Sequence, residues 1–206
     1  MKLYVSKYAP NPRRVSIFAA EKGIALETVV VDLFSGEIKT PEFLAKNPMG
    51  RVPVLELDDG RTLTETRAIC TYLEGLKPEP NLMGEGFEER AFIEMTDRQM
   101  ELHLFLQIAN CVRHTHPALA PLEQPQFAEY GKSQGEKMLE TARWLDGVLA
   151  KQPYVAGERY TIADITAFCG LEFARGMLKF NAGEAGLANL QAWRDRIAAR
   201  PTVGKP

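Results

Sequence analysis

Cysteine and histidine are scarce in this sequence, with three of each among 206 residues. Cys70, Cys111 and Cys169 form no C-x-x-C pair and are odd in number. That excludes a disulfide framework and a zinc ribbon, and leaves reduced thiols of the kind expected in a cytoplasm. His114 and His116 stand beside Pro117 with no third ligand identifiable, so no metal site is expected. A surplus of one charge is missing too. The 25 Lys and Arg against 27 Asp and Glu give a net charge of -2, which removes the electrostatic footprint of a nucleic-acid binder. The longest apolar-rich stretch without a formal charge, Leu102 to Val112, is far short of the ~18 residues of a membrane span. Met1-Lys2 is followed early by Lys7, Arg13 and Arg14 rather than by an apolar leader core, so a cytoplasmic location without membrane attachment is the expectation. What remains is ordinary globular composition: 45% hydrophobic, 25% charged and a mean hydropathy of -0.21. The length suffices for a core without metal or disulfide staples.

Both tryptophans and all three histidines fall after residue 78, and seven of the eleven valines fall before it. The segment Lys77-Pro78-Glu79-Pro80-Asn81 cannot lie inside a helix, because each proline removes a donor and pushes its predecessor into extended geometry. The reading is therefore a first domain over 1–77, a linker over 78–86 and a second domain over 87–206. In the first, Lys2 to Val5 and Glu27 to Val31 read as strands around a helix from Pro12 to Lys22. A short helix from Pro41 to Lys46, a hairpin of Val54 to Leu57 with Thr62-Leu63, and a helix from Glu65 to Leu76 complete the order βαβαββα. The second domain reads as helices throughout: Phe87 to Val112, Phe127 to Ala150, Thr161 to Lys179 and Ala185 to Ala199.

Within Asn47-Pro48-Met49-Gly50-Arg51-Val52-Pro53-Val54-Leu55, a proline enters a strand although it cannot donate to a sheet ladder. An edge strand with a trans bond is one solution. A cis Val52-Pro53 bond is another, and it would turn the Val52 N–H and C=O outward to pair with a second extended backbone. Leu63-Thr64-Glu65-Thr66-Arg67-Ala68-Ile69 follows as a helix start. Tyr160-Thr161-Ile162-Ala163-Asp164-Ile165 reads as a capping box, with Thr161 at the N-cap, Asp164 reaching back and Tyr160 stapled over Ile165.

Taken together, βαβαββα, N-P-x-G-x-V-P-V-L, E-T-R-A-I and an all-helical second domain resemble the cytosolic glutathione transferases over essentially the whole chain. The likeness is to bacterial members with a serine or asparagine at the site, of the theta or nu type. The resemblance implies a thioredoxin-like first domain, α/β in class, that binds glutathione, and an all-α second domain that contributes a hydrophobic acceptor-substrate pocket. Glutathione would be the co-substrate, with no cofactor bound permanently. Val52, before Pro53, would pair with its cysteinyl backbone, and Thr66 in the first turn of the third helix would hold the γ-glutamyl carboxylate. Glu65 would take the ammonium, Arg67 would assist there, and Lys39 and Arg51 would meet the glycyl carboxylate. Without that context the same residues read as a helix N-terminus and solvated surface charge.

The resemblance departs at the thiol-activating position. Many members carry Ser-Pro-Asn or Thr-Pro-Asn before the first helix, and here Ala9-Pro10-Asn11 stands there. Asn11 is the first candidate to donate to the thiolate, aided by the helix N-terminus, and Tyr8 the second. Asn11 also reads as an N-cap whose oxygen accepts from Arg13 or Arg14, with Pro12 opening the helix; the two roles use different ends of the amide. Tyr8, Pro10, Met100 and Leu104 are the candidates for the acceptor pocket. The family is usually dimeric, so a homodimer through the third helix and the first long helix of the second domain is expected. The expected reaction is addition of the glutathione thiolate to a hydrophobic electrophile, with peroxidase and disulfide-reductase activities as variants. Two alternatives stand beside it: a non-catalytic transferase-like binding module, suggested by Ala9, and a glutathione-dependent isomerase, whose usual Ser-Ser-Cys run is absent.

Overall fold

The computed structural model describes residues 1–7 and 9–204. The chain divides into two compact units, Met1–Pro80 and a second that begins at Asn81. In the first, β1 (Lys2–Val5), α1 (Pro10–Glu21), β2 (Glu27–Val30), α2 (Pro41–Lys46), β3 (Val54–Glu56), β4 (Thr62–Thr64) and α3 (Thr66–Leu76) follow one another. The strands form one sheet in the order β2-β1-β3-β4. β1 and β2 run parallel, and β3 is antiparallel to both β1 and β4. Central strands read as continuous apolar runs because both faces are covered, and Leu3, Val54 and Leu55 are indeed fully buried. Helix α1 sends Val15, Ile17, Phe18 and Ala19 inward, and α3 sends Ile69, Cys70 and Leu73.

The prolines near residue 78 do not form a free tether. Lys22, at the C-terminus of α1, is completely buried, and its Nζ donates to the carbonyls of Pro78 (2.9 Å) and Pro80 while pairing with Glu74 at 2.5 Å. Two of the ammonium's donors go to the proline carbonyls, and Glu74 is its ion partner. Residues 81 onward turn to the second unit instead: Asn81 Oδ1 accepts from the Gly84 N–H at 2.7 Å, and Leu82 O accepts from Ile162 at 3.0 Å. Lys22→Met keeps the stem and removes the charge from a buried pair. It should lower stability by about 3–5 kcal/mol and speed amide exchange in α3's last turn, measured by urea titration and hydrogen exchange.

The second unit is helical. It contains α4 (Gly86–Gln99), a π-helical segment (Met100–Phe105), α5 (Leu106–Thr115), α6 (Ala128–Leu149), α7 (Ile162–Leu178) and α8 (Ala188–Ala198). The single helix read from Phe87 to Val112 is thus interrupted by six residues of wider turn. Helix α7 is the centre of the unit, with every residue from Ile162 to Leu171 buried. Its capping box is present. Asp164 Oδ2 accepts from the Thr161 N–H at 2.9 Å, and Oδ1 accepts from the Val155 N–H and the Trp193 indole, both at 2.9 Å. Among the described residues no helix is long and apolar enough to cross a membrane, and no three His, Cys, Asp or Glu side chains gather as a metal site.

Candidate active site

The sheet register brings the first unit's candidates to one end. Val54 pairs with Tyr4 on one side and with Thr64 on the other. Because β3 is antiparallel to both neighbours, the residues just before Val54, those just after Thr64 and those following β1 all leave the sheet at that end. Val52, the Glu65-Thr66 step and the start of α1 therefore converge, as side-by-side exits of three neighbouring strands.

Each exit has its own local cause. The Val52-Pro53 bond is cis, and the Val52 side chain packs against Val31, Ile38, Phe43 and Val54. The side chain is anchored while its peptide groups stand ahead of the first ladder residue. The loop before it is shaped by Asn47, which is buried: its Nδ2 donates to the Arg51 carbonyl at 2.8 Å, and its Oδ1 accepts from Met49 N–H at 3.0 Å. Gly50 turns this loop with φ 57°, and a Cβ there would lie 3.0 Å from the Ile38 carbonyl oxygen. That approach sets Arg51 on the loop beside Lys39. Both cations are exposed, and neither forms an ion pair among the described residues.

At the second exit, Glu65 has φ 65° and ψ 117°, outside even the small left-handed region that asparagine or aspartate tolerates. Backbone of this kind costs about 1–3 kcal/mol and persists where the surrounding structure demands it. Its consequence is an open helix start: α3 has no side-chain cap, Thr66 is buried at its first position, and the Glu65 side chain is exposed. First-turn N–H groups with the positive end of the helix dipole constitute an anion socket. Arg67 follows, half-buried, with Nη1 donating to Thr71 Oγ1 at 2.7 Å.

The third exit corrects the reading of α1. The helix begins at Pro10, not Pro12, so its N-cap is Ala9 and Asn11 is its second residue. Asn11 Oδ1 accepts from the Arg14 guanidinium (Nη1, 3.0 Å) rather than from a backbone N–H. Two prolines in the first turn, Pro10 and Pro12, suit this start because their missing N–H groups have no intrahelical partner there. Tyr8, the second candidate for the thiol, lies outside the described residues.

One cis-proline turn, one uncapped helix and two exposed cations at a sheet end suit an extended peptide with charged termini. A model of the glutathione S-transferase N-terminal domain matches residues 8–76, and one of the glutathione S-transferase C-terminal domain matches residues 108–201. The chain belongs to the glutathione transferase family. Glutathione S-transferase 2 of Saccharomyces cerevisiae is 40% identical over 208 residues, covering 100% of this chain and 88% of that protein. A solved glutathione S-transferase domain-containing protein from Marinobacter aquaeolei VT8 is 42% identical, with a TM-score of 0.93 over 98% of this chain and 100% of its own. Gtt2 from Saccharomyces cerevisiae superposes with a TM-score of 0.93 at 40% identity, covering 99% of each chain. The protein is accordingly an enzyme, a glutathione transferase, with the family's thioredoxin-like and all-α pairing of folds.

Within this transferase, Met100 and Leu104, the helical-domain candidates for the acceptor pocket, are fully buried; they lie on the apolar stripe by which the helix packs. Pro10 is half-buried at the start of α1. The two histidines near residue 115 have structural duties: His114 Nδ1 accepts from Phe127 N–H at 3.1 Å, and His116 Nδ1 accepts from Ala118 N–H at 3.2 Å. Cys70, Cys111 and Cys169 are buried, and burial raises the Cys111 thiol above its ordinary value, opposite to the shift a nucleophilic thiol requires. Asn47 is the residue the motif contained without a role: an asparagine five before Val52, legible as a turn residue but not as the pin for the loop.

Proposed function

We propose that this transferase binds glutathione along the sheet end and activates its thiol with Asn11 and the start of α1. The observation that carries the reading is the convergence there of the cis Val52-Pro53 turn with two helix N-termini. Val52 pairs with the cysteinyl backbone, as an added strand would. Thr66 and the first-turn N–H groups of α3 hold the γ-glutamyl carboxylate, Glu65 holds the ammonium with Arg67 beside it, and Lys39 and Arg51 meet the glycyl carboxylate. Asn11 gives its carbonyl oxygen to Arg14, which leaves its Nδ2 hydrogens for the sulfur. A donor at the sulfur together with the helix field favours thiolate over thiol, lowering the pKa from its reference of ~8.5. The thiolate then adds to an electrophilic carbon of a hydrophobic acceptor, and the same thiolate would serve a peroxide or a mixed disulfide.

Thiolate absorbance of bound glutathione, followed against pH, tests this activation. The bound thiol should titrate at least about one unit below the free one, and Asn11→Ala should raise it again and cut turnover about tenfold or more. A bound thiol that titrates like the free one would sink the mechanism. An unaltered Asn11→Ala enzyme would sink the residue assignment alone. The proposed setting is a cytoplasm, where glutathione and reduced cysteines coexist.

The proposed quaternary state is a homodimer. Phe92 and Met95 stand 60% and 49% exposed on the outer face of α4, and Leu76 is 51% exposed at the end of α3. Large apolar side chains exposed together on α4 mark an interaction face of the second unit. Light scattering at micromolar concentration should give twice the chain mass, and Phe92→Glu should return it to one.

A further inference from the structure

Helix α1 breaks local rules at its start. Its cap position holds Ala9, its first turn has no acidic residue, and Arg13 and Arg14 follow directly, although cations are disfavoured near the positive end of a helix. Breaches of this kind collect at functional sites. Arg13 is exposed. Arg14 is only 1% exposed, on a helix that also sends Val15, Ile17 and Phe18 inward. Taking a guanidinium out of water is expensive, and this group cannot shed its charge. Packing alone would be served as well by an apolar side chain of similar volume.

What the buried guanidinium holds is an amide. Arg14 Nη1 donates to Asn11 Oδ1 at 3.0 Å, one helical turn back on the same face. A guanidinium has donors and no acceptor, so only the oxygen of the carboxamide can face it, and Nδ2 is turned away. Without such a partner the two ends of the amide exchange by rotation about χ2, and its oxygen would repel a thiolate where its N–H attracts one. Asn11 is half-buried, and its Nδ2 makes no hydrogen bond among the described residues. A cation on the oxygen also polarises the amide, which strengthens donation from the N–H. We infer, on the proposed role of Asn11 at the thiol, that Arg14 is a positioning residue for the transferase reaction: it acts by holding the Asn11 N–H toward the glutathione sulfur.

Titration of the bound glutathione thiol tests this in the parent, Asn11→Ala, Arg14→Met, Arg14→Lys and each arginine replacement combined with Asn11→Ala. Arg14→Met should raise the bound thiol's pKa by about one unit and lower kcat about tenfold near neutral pH. The loss should shrink as pH rises and the thiol ionises unaided. The KM for glutathione should stay within about twofold of the parent's, because Arg14 meets none of the groups proposed to bind the peptide. Arg14→Lys keeps the charge but replaces a rigid planar fork with a compact, freely turning ammonium, and should raise the pKa by about half a unit or more. In the Asn11→Ala background neither replacement should raise it further, since no amide is left to orient. A packing role alone would lower the melting temperature and leave the thiol of the folded enzyme where it was. If Asn11→Ala itself does not move the thiol, the activation reading falls and the role of Arg14 with it. If Asn11→Ala moves it while Arg14→Lys titrates with the parent, or while the arginine shift persists in the double variant, the role of Arg14 alone is overturned. Arg14→Lys carries that decision even where Arg14→Met does not fold.

Discussion

Asp164→Ala is expected to destabilise the protein by about 4 kcal/mol or more at neutral pH, among the largest effects of any single replacement. Four donors converge on this fully buried carboxylate: the N–H groups of Thr161 and Val155, the Thr161 hydroxyl and the indole of Trp193. Each buried donor left without an acceptor costs about 1–3 kcal/mol, and loss of the cap adds about 1 kcal/mol. A methyl group cannot replace those bonds. Urea titration should show the full loss, and near-ultraviolet circular dichroism should report altered packing of Trp193.

The same carboxylate gives the effect a pH signature. Burial, partly offset by the bonds from Val155, Thr161 and Trp193, raises the Asp164 pKa from 3.8 to about 6. Between those values the folded chain holds a proton that the unfolded chain has released. Stability from this group is therefore fully present below about pH 4 and is lost as pH rises through about 6. Two pKa units at 1.36 kcal/mol each make the difference roughly 3 kcal/mol. The gap between parent and Asp164→Ala should widen as the pH is lowered from 7 to 4. A gap that stays constant or narrows would show that the carboxylate is ionised throughout this range.

How much of this was legible from the chain depends on how far apart the interacting residues lie. Strands β1, β3 and β4 and helices α2, α3 and α7 could be read almost to the residue, because periodicity and turn chemistry are local. The capping box was legible for the same reason, as Thr161 and Asp164 are three residues apart. Trp193, which completes its hydrogen bonds from 29 residues away, was not. A lone lysine reads as solvated charge, and Lys22 becomes a buried anchor only because the carbonyls of Pro78 and Pro80 fold back over it. The π-helical segment has no local signal in Met-Glu-Leu-His-Leu-Phe. One distant constraint on it is Gly170 of α7, where a Cβ would come within 3.1 Å of the Phe105 ring. The start of α1 differs from its reading for a chemical reason: asparagine is a better N-cap than alanine, yet Ala9 holds that place. At the proposed glutathione site the motif carried the residue types, but the positive-φ backbone at Glu65 could not be read from it.

That geometry gives the most discriminating test of the site. Glu65→Ala and Glu65→Gly remove the same carboxylate, so both should weaken glutathione binding by about tenfold or more, the worth of a charge-assisted bond to the ammonium. Their stabilities should diverge. Alanine retains the Cβ that makes φ 65°, ψ 117° costly, whereas glycine tolerates positive φ, and the glycine variant should be more stable than the alanine variant by about 1–3 kcal/mol. Relative to the parent, Glu65→Gly should thus match or exceed it in thermal stability while losing affinity. Calorimetry with glutathione and thermal melts of the three proteins separate the outcomes. If the glycine variant gains stability and keeps full affinity, the strain is structural and the ammonium is held elsewhere. If both variants lose affinity while only alanine leaves the strain in place, the backbone strain at Glu65 is what the fold tolerates to present a carboxylate to the ligand.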